Sequence, residues 1–297
     1  MLFSHTLKGI DHLLVGVDKL EEARHHYLRL GFRLTPRGRH IGWGTANYCI
    51  MFPDDYLELI GIVDASQDTN GLDTFLEKGE GGLGFAFRSL NTQETADSLT
   101  DLGVPIEGPN DLRRILELDN GDVMPAFKLL RYSAEVTPEM ATFVCDHKTP
   151  EIVWQDQWVG HENGANGIRR IVYAMADPYG LINEYSQFFG EDAVVVTDGC
   201  IDIQLHERNQ TLRLLASEEV NRFYPGFDSE KMERESYMIG FHLWSRDLKA
   251  TQAYFDQYRV QYRKEGDQSL RLMENDACGV VISFDASPNT AAPYVPS

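Results

Sequence analysis

Residues 9–20, GIDHLLVGVDKL, and residues 56–63, YLELIGIV, decide how this chain reads. The first opens as a short apolar run at 10–17, rich in branched residues and holding one histidine, which is the pattern of a buried strand. Asp18 offers an N-cap. Leu20, Ala23, Tyr27 and Leu30 then recur at helical spacing until Gly31 stops the helix. Residues 32–35 read as a short strand, and 47–52 as an extended run after the Gly-rich segment 42–45. The turn Pro53-Asp54-Asp55 leads into the closing strand at 56–63. The order is β-α-β-β-β.

The same pattern returns along the chain, and repetition of this kind sets the architecture. A second copy has a strand at 84–88, a helix at 92–102 closed by Gly103, and strands at 104–107, 124–132 and 141–145. A third begins at 168–174, with a helix over 178–189 and strands at 194–196, 200–205 and 212–215. A fourth has a strand at 237–244, a helix at 248–258 and strands at 268–273 and 279–284. GIDHLLVGVDKL at 9–20 lies over GIRRIVYAMADP at 167–178 and YMIGFHLWSRDL at 237–248, in hydrophobic pattern more than in identity. The expected fold class is α+β, with about four tandem βαβββ modules forming curved mixed sheets around a cup. The expected division is a first domain at 1–155 holding modules 1–64 and 82–147, a second pair of modules at 166–290, and a Pro-rich tail at 291–297.

Composition narrows the function. The net charge of −19 removes nucleic acid and anionic membrane surfaces as expected partners, since phosphate binding needs a basic face. No apolar run approaches the roughly 20 residues of a membrane span, and the N-terminus MLFSHTLKGID has no apolar core of a secretory signal. Cys49, Cys145, Cys200 and Cys278 form no CxxC pair and read as scattered thiols of a reducing compartment, so the cytoplasm is expected.

Two residues stand out chemically. Alternation puts His12 on one strand face with Leu14 and Gly16. A lone histidine there is commonly a satisfied core residue. Glu58, flanked by branched and aromatic residues, is costly to bury unless it is paired or metal-bound, and facing water is its plain reading. In a β-α-β-β-β module, however, the first and last strands both line the concave face. His12 and Glu58 can then converge on one ion, and imidazole with carboxylate suits Zn²⁺, Fe²⁺, Mn²⁺ or Ni²⁺.

The stretch 42–60, GWGTANYCIMFPDDYLELI, together with GIDHLLVGV at 9–17, resembles the glyoxalase-like members of the vicinal-oxygen-chelate superfamily. CDHKTPEIVW at 145–154 and HENGA at 161–165 resemble one branch of it, and the likeness covers roughly residues 8–175. The resemblance implies a metal held by one residue on the first strand and one on the last strand of each of two paired modules. The first module supplies His12 and Glu58, with Glu58 the catalytic carboxylate. In the second, Gly84 lines up with His12 and cannot ligate. Its closing strand offers Cys145 or His147, and His147 is preferred, giving a metal set of His12, Glu58 and His147. The plain reading of His147 is a loop residue organising the following turn.

The later copies carry Arg170 and Gly240 at the His12 position, and His242 has no obvious carboxylate opposite, so the second half reads as a degenerate cup. What the resemblance implies is a metal-dependent lyase or isomerase of glyoxalase type, or an extradiol-type dioxygenase. Its small oxygen-rich substrate would be chelated through neighbouring oxygens, by a monomer or homodimer. The reading from a different class is a metal-free small-molecule binding protein of the bleomycin-resistance type. Arg113-Arg114 and Arg169-Arg170 can bind an acidic substrate group, but surface pairing is expected. Trp154, Trp158 and His161 form an aromatic cluster that would roof the cup or simply pack.

Overall fold

The computed structural model describes residues 6–229 and 234–287, so the tail expected at 291–297 lies outside the described residues. The first module runs β1 (Leu7–Gly16), α1 (Leu20–Arg29), β2 (Gly38–His40), β3 (Thr45–Met51) and β4 (Tyr56–Ile62). A short helix α2 (Leu72–Leu76) leads to β5 (Gly81–Ser89), α3 (Thr92–Asp101), β6 (Ile106–Leu116), β7 (Ala126–Tyr132) and β8 (Thr142–His147). After α4 (Pro150–Val153) come β9 (Ala165–Met175), α5 (Ile182–Phe189), β10 (Val194–Thr197), β11 (Cys200–Leu205) and β12 (Gln210–Ala216). Helix α6 (Val220–Phe223) precedes the fourth unit, β13 (Tyr237–Ser245), α7 (Leu248–Tyr258), β14 (Arg263–Lys264), β15 (Ser269–Leu272) and β16 (Val281–Ala286).

Each unit is wired alike. Its first strand runs parallel to its last, and the last pairs antiparallel with the strand before it, as in β1–β4 and β4–β3. The helix supplies the crossover a parallel pair needs. Two units join through their first strands, β1 with β5 and β9 with β13, both antiparallel. In the first half β2 also pairs with β6, so eight strands close into a ring in the order β1-β4-β3-β2-β6-β7-β8-β5. In the second half β10 and β14 end the order, and the sheet stays open.

One apolar core runs through both halves, with Leu13, Phe85, Tyr173, Phe241 and Phe284 among its buried members. Phe32 stacks on Phe284 at 6.0 Å, and Phe85 meets Tyr173 at 6.3 Å. The stripe Leu20, Ala23, Tyr27 and Leu30 turns α1 into this core, as its spacing requires. The HENGA segment pins that helix. Asn163, fully buried, donates from Nδ2 to Leu30 O at 2.9 Å, while its own carbonyl accepts from Thr251 Oγ1 at 2.6 Å. These bonds satisfy a carbonyl at the helix end that would otherwise be orphaned.

Several local expectations give way. Residues 32–35 form no strand; the short third element is β2, further on. Asp18 does not cap α1, whose N-cap is Lys19 with no side-chain bond. The strand expected at 104–107 is β6, starting at Ile106 and continuing to Leu116. β6 carries Gly108-Pro109 as an irregularity between Glu107 and Asn110, one of the few places a strand tolerates proline. Among the described residues no helix is long and apolar enough to cross a membrane.

A second tie between the halves is ionisable. Asp55, buried in the turn before β4, accepts from Ile168 N at 3.0 Å and from Gln210 Nε2 at 2.9 Å. Burial pushes its carboxyl up to about 7, outweighing the Ile168 bond. The folded protein therefore binds a proton here that the unfolded chain releases near the ordinary carboxylate value. The associated stability is present below that value and is lost as pH rises towards about 7. Asp55→Asn should remove this dependence, at a pH-independent cost because the Gln210 amide, its oxygen held by Ile10 N–H, cannot turn to match it. In urea titrations from pH 4 to 8, the variant should gain on the wild type as pH rises, with a ceiling on the order of 4 kcal/mol. Parallel stability curves for the two proteins would refute this role.

Candidate functional site

The closed ring encloses a cavity of about 310 Å³, and all eight of its strands contribute to the lining. β1 sends in His12 and Leu14, as alternation requires; β4 sends in Tyr56, Glu58 and Ile60. Because β1 and β4 are parallel with Leu14 opposite Glu58, the His12 and Glu58 side chains meet on the inner face. His12 Nε2 lies 3.7 Å from Glu58 Oε2. Tyr56 stacks on the His12 ring at 4.4 Å.

A third polar group joins them from β2. His40 Nε2 lies 3.8 Å from the other oxygen, Glu58 Oε1, which also accepts from Asn47 Nδ2 at 2.6 Å. The other ring nitrogen of each histidine is already engaged, His12 Nδ1 with Asp11 at 2.7 Å and His40 Nδ1 with Thr45 Oγ1 at 2.8 Å. Both imidazoles thus turn Nε2 towards one carboxylate, each held from behind in the manner of outer partners to ligating histidines. Burial holds His40 below the ordinary imidazole value despite Glu58 beside it. Burial by itself would raise Glu58, but His12, His40, Arg114 and the Asn47 bond outweigh it and keep the carboxyl below its usual range. Glu58 is therefore ionised at neutral pH.

Asp11 was not a candidate, because alternation assigns it to the face opposite His12. The structure breaks that alternation. Ile10 pairs with Phe87 and His12 with Ala86, so two steps on β1 match one on β5. Such a bulge re-aims a side chain. The fully buried Asp11 carboxylate takes His12 Nδ1 and His147 Nε2 on one oxygen, the latter at 2.9 Å, and Arg88 Nε on the other at 2.8 Å. Burial alone would raise it, but the two histidines outweigh that and hold it well below the usual carboxylate range.

His147 is placed with Asp11 and not with Glu58. Its ring does not line the cavity; it packs against Trp154 at 4.7 Å and Phe127 at 4.9 Å. Cys145, two residues earlier, does line the cavity, and burial raises its thiol well above the ordinary value. Asp11, His12, Cys145 and His147 form a buried group whose potential ligand atoms lie within 4.8 Å of one another.

The positions in the second module that match His12 and Glu58 are Gly84 and Phe143, by the pairing of β5 with β8. A Cβ at Gly84 would meet Ala141 O at 2.4 Å, so no ligating side chain fits there. The same holds at Gly240 in the fourth unit, where a Cβ would meet Val281 O at 1.9 Å.

Other expectations shift as well. Arg114 is not a surface residue: it is 3% exposed and lines the cavity from β6. Trp154 does not roof the cup; its Nε1 donates to Phe52 O, and its ring covers His147 from outside the cavity. His161 accepts Arg33 N–H and reaches Met51 O, with burial lowering it to about 4, a neutral structural residue. His242 does face a carboxylate, Asp285 at 2.8 Å, and bonds Tyr224 on its other nitrogen. In that half the chain's own Val220, Tyr224 and Phe227 pack on Val172, Ala174 and Val281, filling the face that corresponds to the cup.

A sequence model described as a glyoxalase-like domain matches residues 10–189. No curated protein matches the sequence. Among solved structures, a hypothetical protein from Staphylococcus aureus is similar at TM-score 0.65 and 12% identity, over 94% of this chain and 99% of that one. A mutant of 4-hydroxymandelate synthase from Streptomyces coelicolor is similar at TM-score 0.58 and 9% identity, over 94% and 92%. A xylose isomerase-like TIM barrel/4-hydroxyphenylpyruvate dioxygenase fusion protein is similar at TM-score 0.53 and 13% identity, over 97% of this chain and 50% of that one. At these identities the likeness is one of fold.

Removing Asp11 tests the cluster. Asp11→Ala takes the paired carboxylate from half-buried Arg88 and the hydrogen-bond acceptor from two histidines, and breaking a buried pair in this way costs about 3–5 kcal/mol. Chemical denaturation at pH 7 should show that loss, against under about 0.5 kcal/mol for Glu22→Ala on the exposed face of α1. A loss for Asp11→Ala as small as that of the control would mean the carboxylate does not hold the site.

Proposed function

The chain belongs to the glyoxalase-like domain family, and from that premise we propose that the ring cavity is the site of divalent-metal-dependent chemistry on a small, oxygen-rich substrate, with His12 and Glu58 holding the ion. The observation that carries this reading is the convergence of His12 Nε2 and His40 Nε2 on the two oxygens of ionised Glu58. Donors about 2.0–2.2 Å from one ion can span the 3.7 Å between His12 and Glu58. Neutral imidazole and carboxylate are an appropriate donor set for Zn²⁺, Fe²⁺, Mn²⁺ or Ni²⁺.

The alternative placement, among Asp11, Cys145 and His147, is weaker on physical grounds. Asp11 is already satisfied by two histidines and by Arg88, whose positive charge opposes a cation beside it. The Nε2 side of His12 opens to the cavity, where a catalytic site needs free positions. In this reading His147 is a positioning residue that acts on His12 through Asp11.

When bound, the ion would act as a Lewis acid towards neighbouring oxygens of the substrate or, as iron, support dioxygenase chemistry. The protein's own part is preparation. Asp11 holds the His12 tautomer that leaves Nε2 facing inward. Asn47 orients Glu58, which carries the negative charge and offers a proton acceptor at Oε2. Tyr56, Phe127 and Phe143 supply apolar walls that exclude water. Lyase, isomerase and dioxygenase chemistry all suit an ion with few protein ligands and open positions. The second reading, metal-free sequestration of a small molecule, draws on Gly84 and Phe143, which leave the second module without donors.

Metal content separates the two. Protein prepared without a metal-affinity tag should bind a divalent metal near one equivalent by mass spectrometry or calorimetry. His12→Ala and Glu58→Ala should abolish binding. His147→Ala should weaken it by roughly 10- to 100-fold, as for loss of an outer partner, and His25→Ala on exposed α1 should leave it unchanged. If wild-type protein takes up no divalent metal, the sequestration reading replaces this one. If Glu58→Ala keeps its metal while Cys145→Ala and His147→Ala lose theirs, the ion sits on the Asp11 side.

A further inference from the structure

The metal reading leaves Arg114 without a task. Arg114 lines the cavity from β6, beside His40 on β2, and its guanidinium reaches to Cys49 on β3. A buried guanidinium is costly without a partner of opposite charge. Its Nη1 donates to Cys49 Sγ at 3.1 Å, but burial pushes that thiol up to about 11, so the sulfur is neutral and no counter-ion. Its Nε is buried with no partner at all. Among the described residues no carboxylate pairs with it; Glu58 is near enough to feel its charge but already has Asn47, His12 and His40 around it. Beside it the wall is aromatic, with the guanidinium 5.5 Å from the Phe127 ring centre. A cation retained in this state, in a chain of net charge −19, is a preorganised site for an anion.

We propose that Arg114 anchors the carboxylate of the substrate, so that the ligand of the cavity is a small organic acid with an apolar, aromatic-sized body lying between Arg114 and the His12–Glu58 pair. This rests on the cavity being the substrate site, but not on a metal being bound. The planar fork of arginine can give a carboxylate two parallel N–H bonds, which lysine cannot. Arg131, exposed at the rim, adds a second positive charge along the way in.

3,4-Dihydroxybenzoate and 3,4-dihydroxybenzamide are a suitable probe pair: both carry two neighbouring ring oxygens at one end, and only the first carries an anion at the other. Calorimetric titration of the full chain, in EDTA and again with added Zn²⁺, should show the benzoate favoured by about tenfold or more, the size of one charge-assisted contact. Arg114→Met should erase the preference by weakening the benzoate and leaving the benzamide unchanged. Its metal content should equal that of wild type. Should Arg114→Met fail to fold, Arg114→Lys serves: it should weaken the benzoate several-fold and leave the benzamide alone. The proposal is overturned if wild type binds neither probe, binds both equally, or keeps its preference in the variants. A preference that persists in a protein taking up no metal would overturn the metal reading alone.

Discussion

A single buried carboxylate organises the centre of this molecule. Asp11 is fully buried, yet it accepts from His12, His147 and Arg88, which come from three strands of the ring. A charge in that position is tolerable only if every oxygen is met. The bulge in β1, the position of β8 and the inward lean of Arg88 are therefore coupled. They also fix which nitrogen of His12 faces the cavity. Trp154 covers the cluster from behind, against His147 and under Arg88, and so gives the segment 145–154 a structural purpose.

The two halves of the chain use one plan to different ends. In both, paired first strands form the centre and the last strands flank them in parallel. The first half closes because β2 meets β6, and closure leaves an enclosed space that its own side chains do not fill. The second half remains open, and the residues around α6 lie over its inner face. There His242 and Asp285 repeat the histidine–carboxylate pairing, but Tyr224 occupies the remaining nitrogen of the histidine. That nitrogen is the one a ligand would need.

The cavity's own chemistry is divided. On the β1–β4 side are His12 and ionised Glu58, with His40 approaching from β2. On the β6 side is a cation with an unmet N–H, and aromatic rings lie between. A ligand with an acidic end and a pair of oxygens matches that division better than a wholly apolar one, because the buried Arg114 Nε–H lacks a partner until something fills the space.

The repeated β-α-β-β-β order was legible in the sequence, because strand and helix periodicities depend only on neighbours along the chain. So was the shared inward face of His12 and Glu58, which follows from their places on the first and last strands of one module. Three features were not legible, each for a physical reason. Asp11 reaches the site only through a bulge, and a bulge is a property of two strands in register, not of one. His40 lies beside a Gly-rich stretch that looks like a loop, and Arg114, expected in surface pairing, is buried only because β6 joins the ring. Which partner His147 meets depends on where β8 passes Asp11, a matter of two strands and not of one. The sequence by itself determined the modules and one pair of inward-facing polar residues. Only the tertiary structure decided which charges share the cavity, because closing the ring brings together strands far apart in the chain.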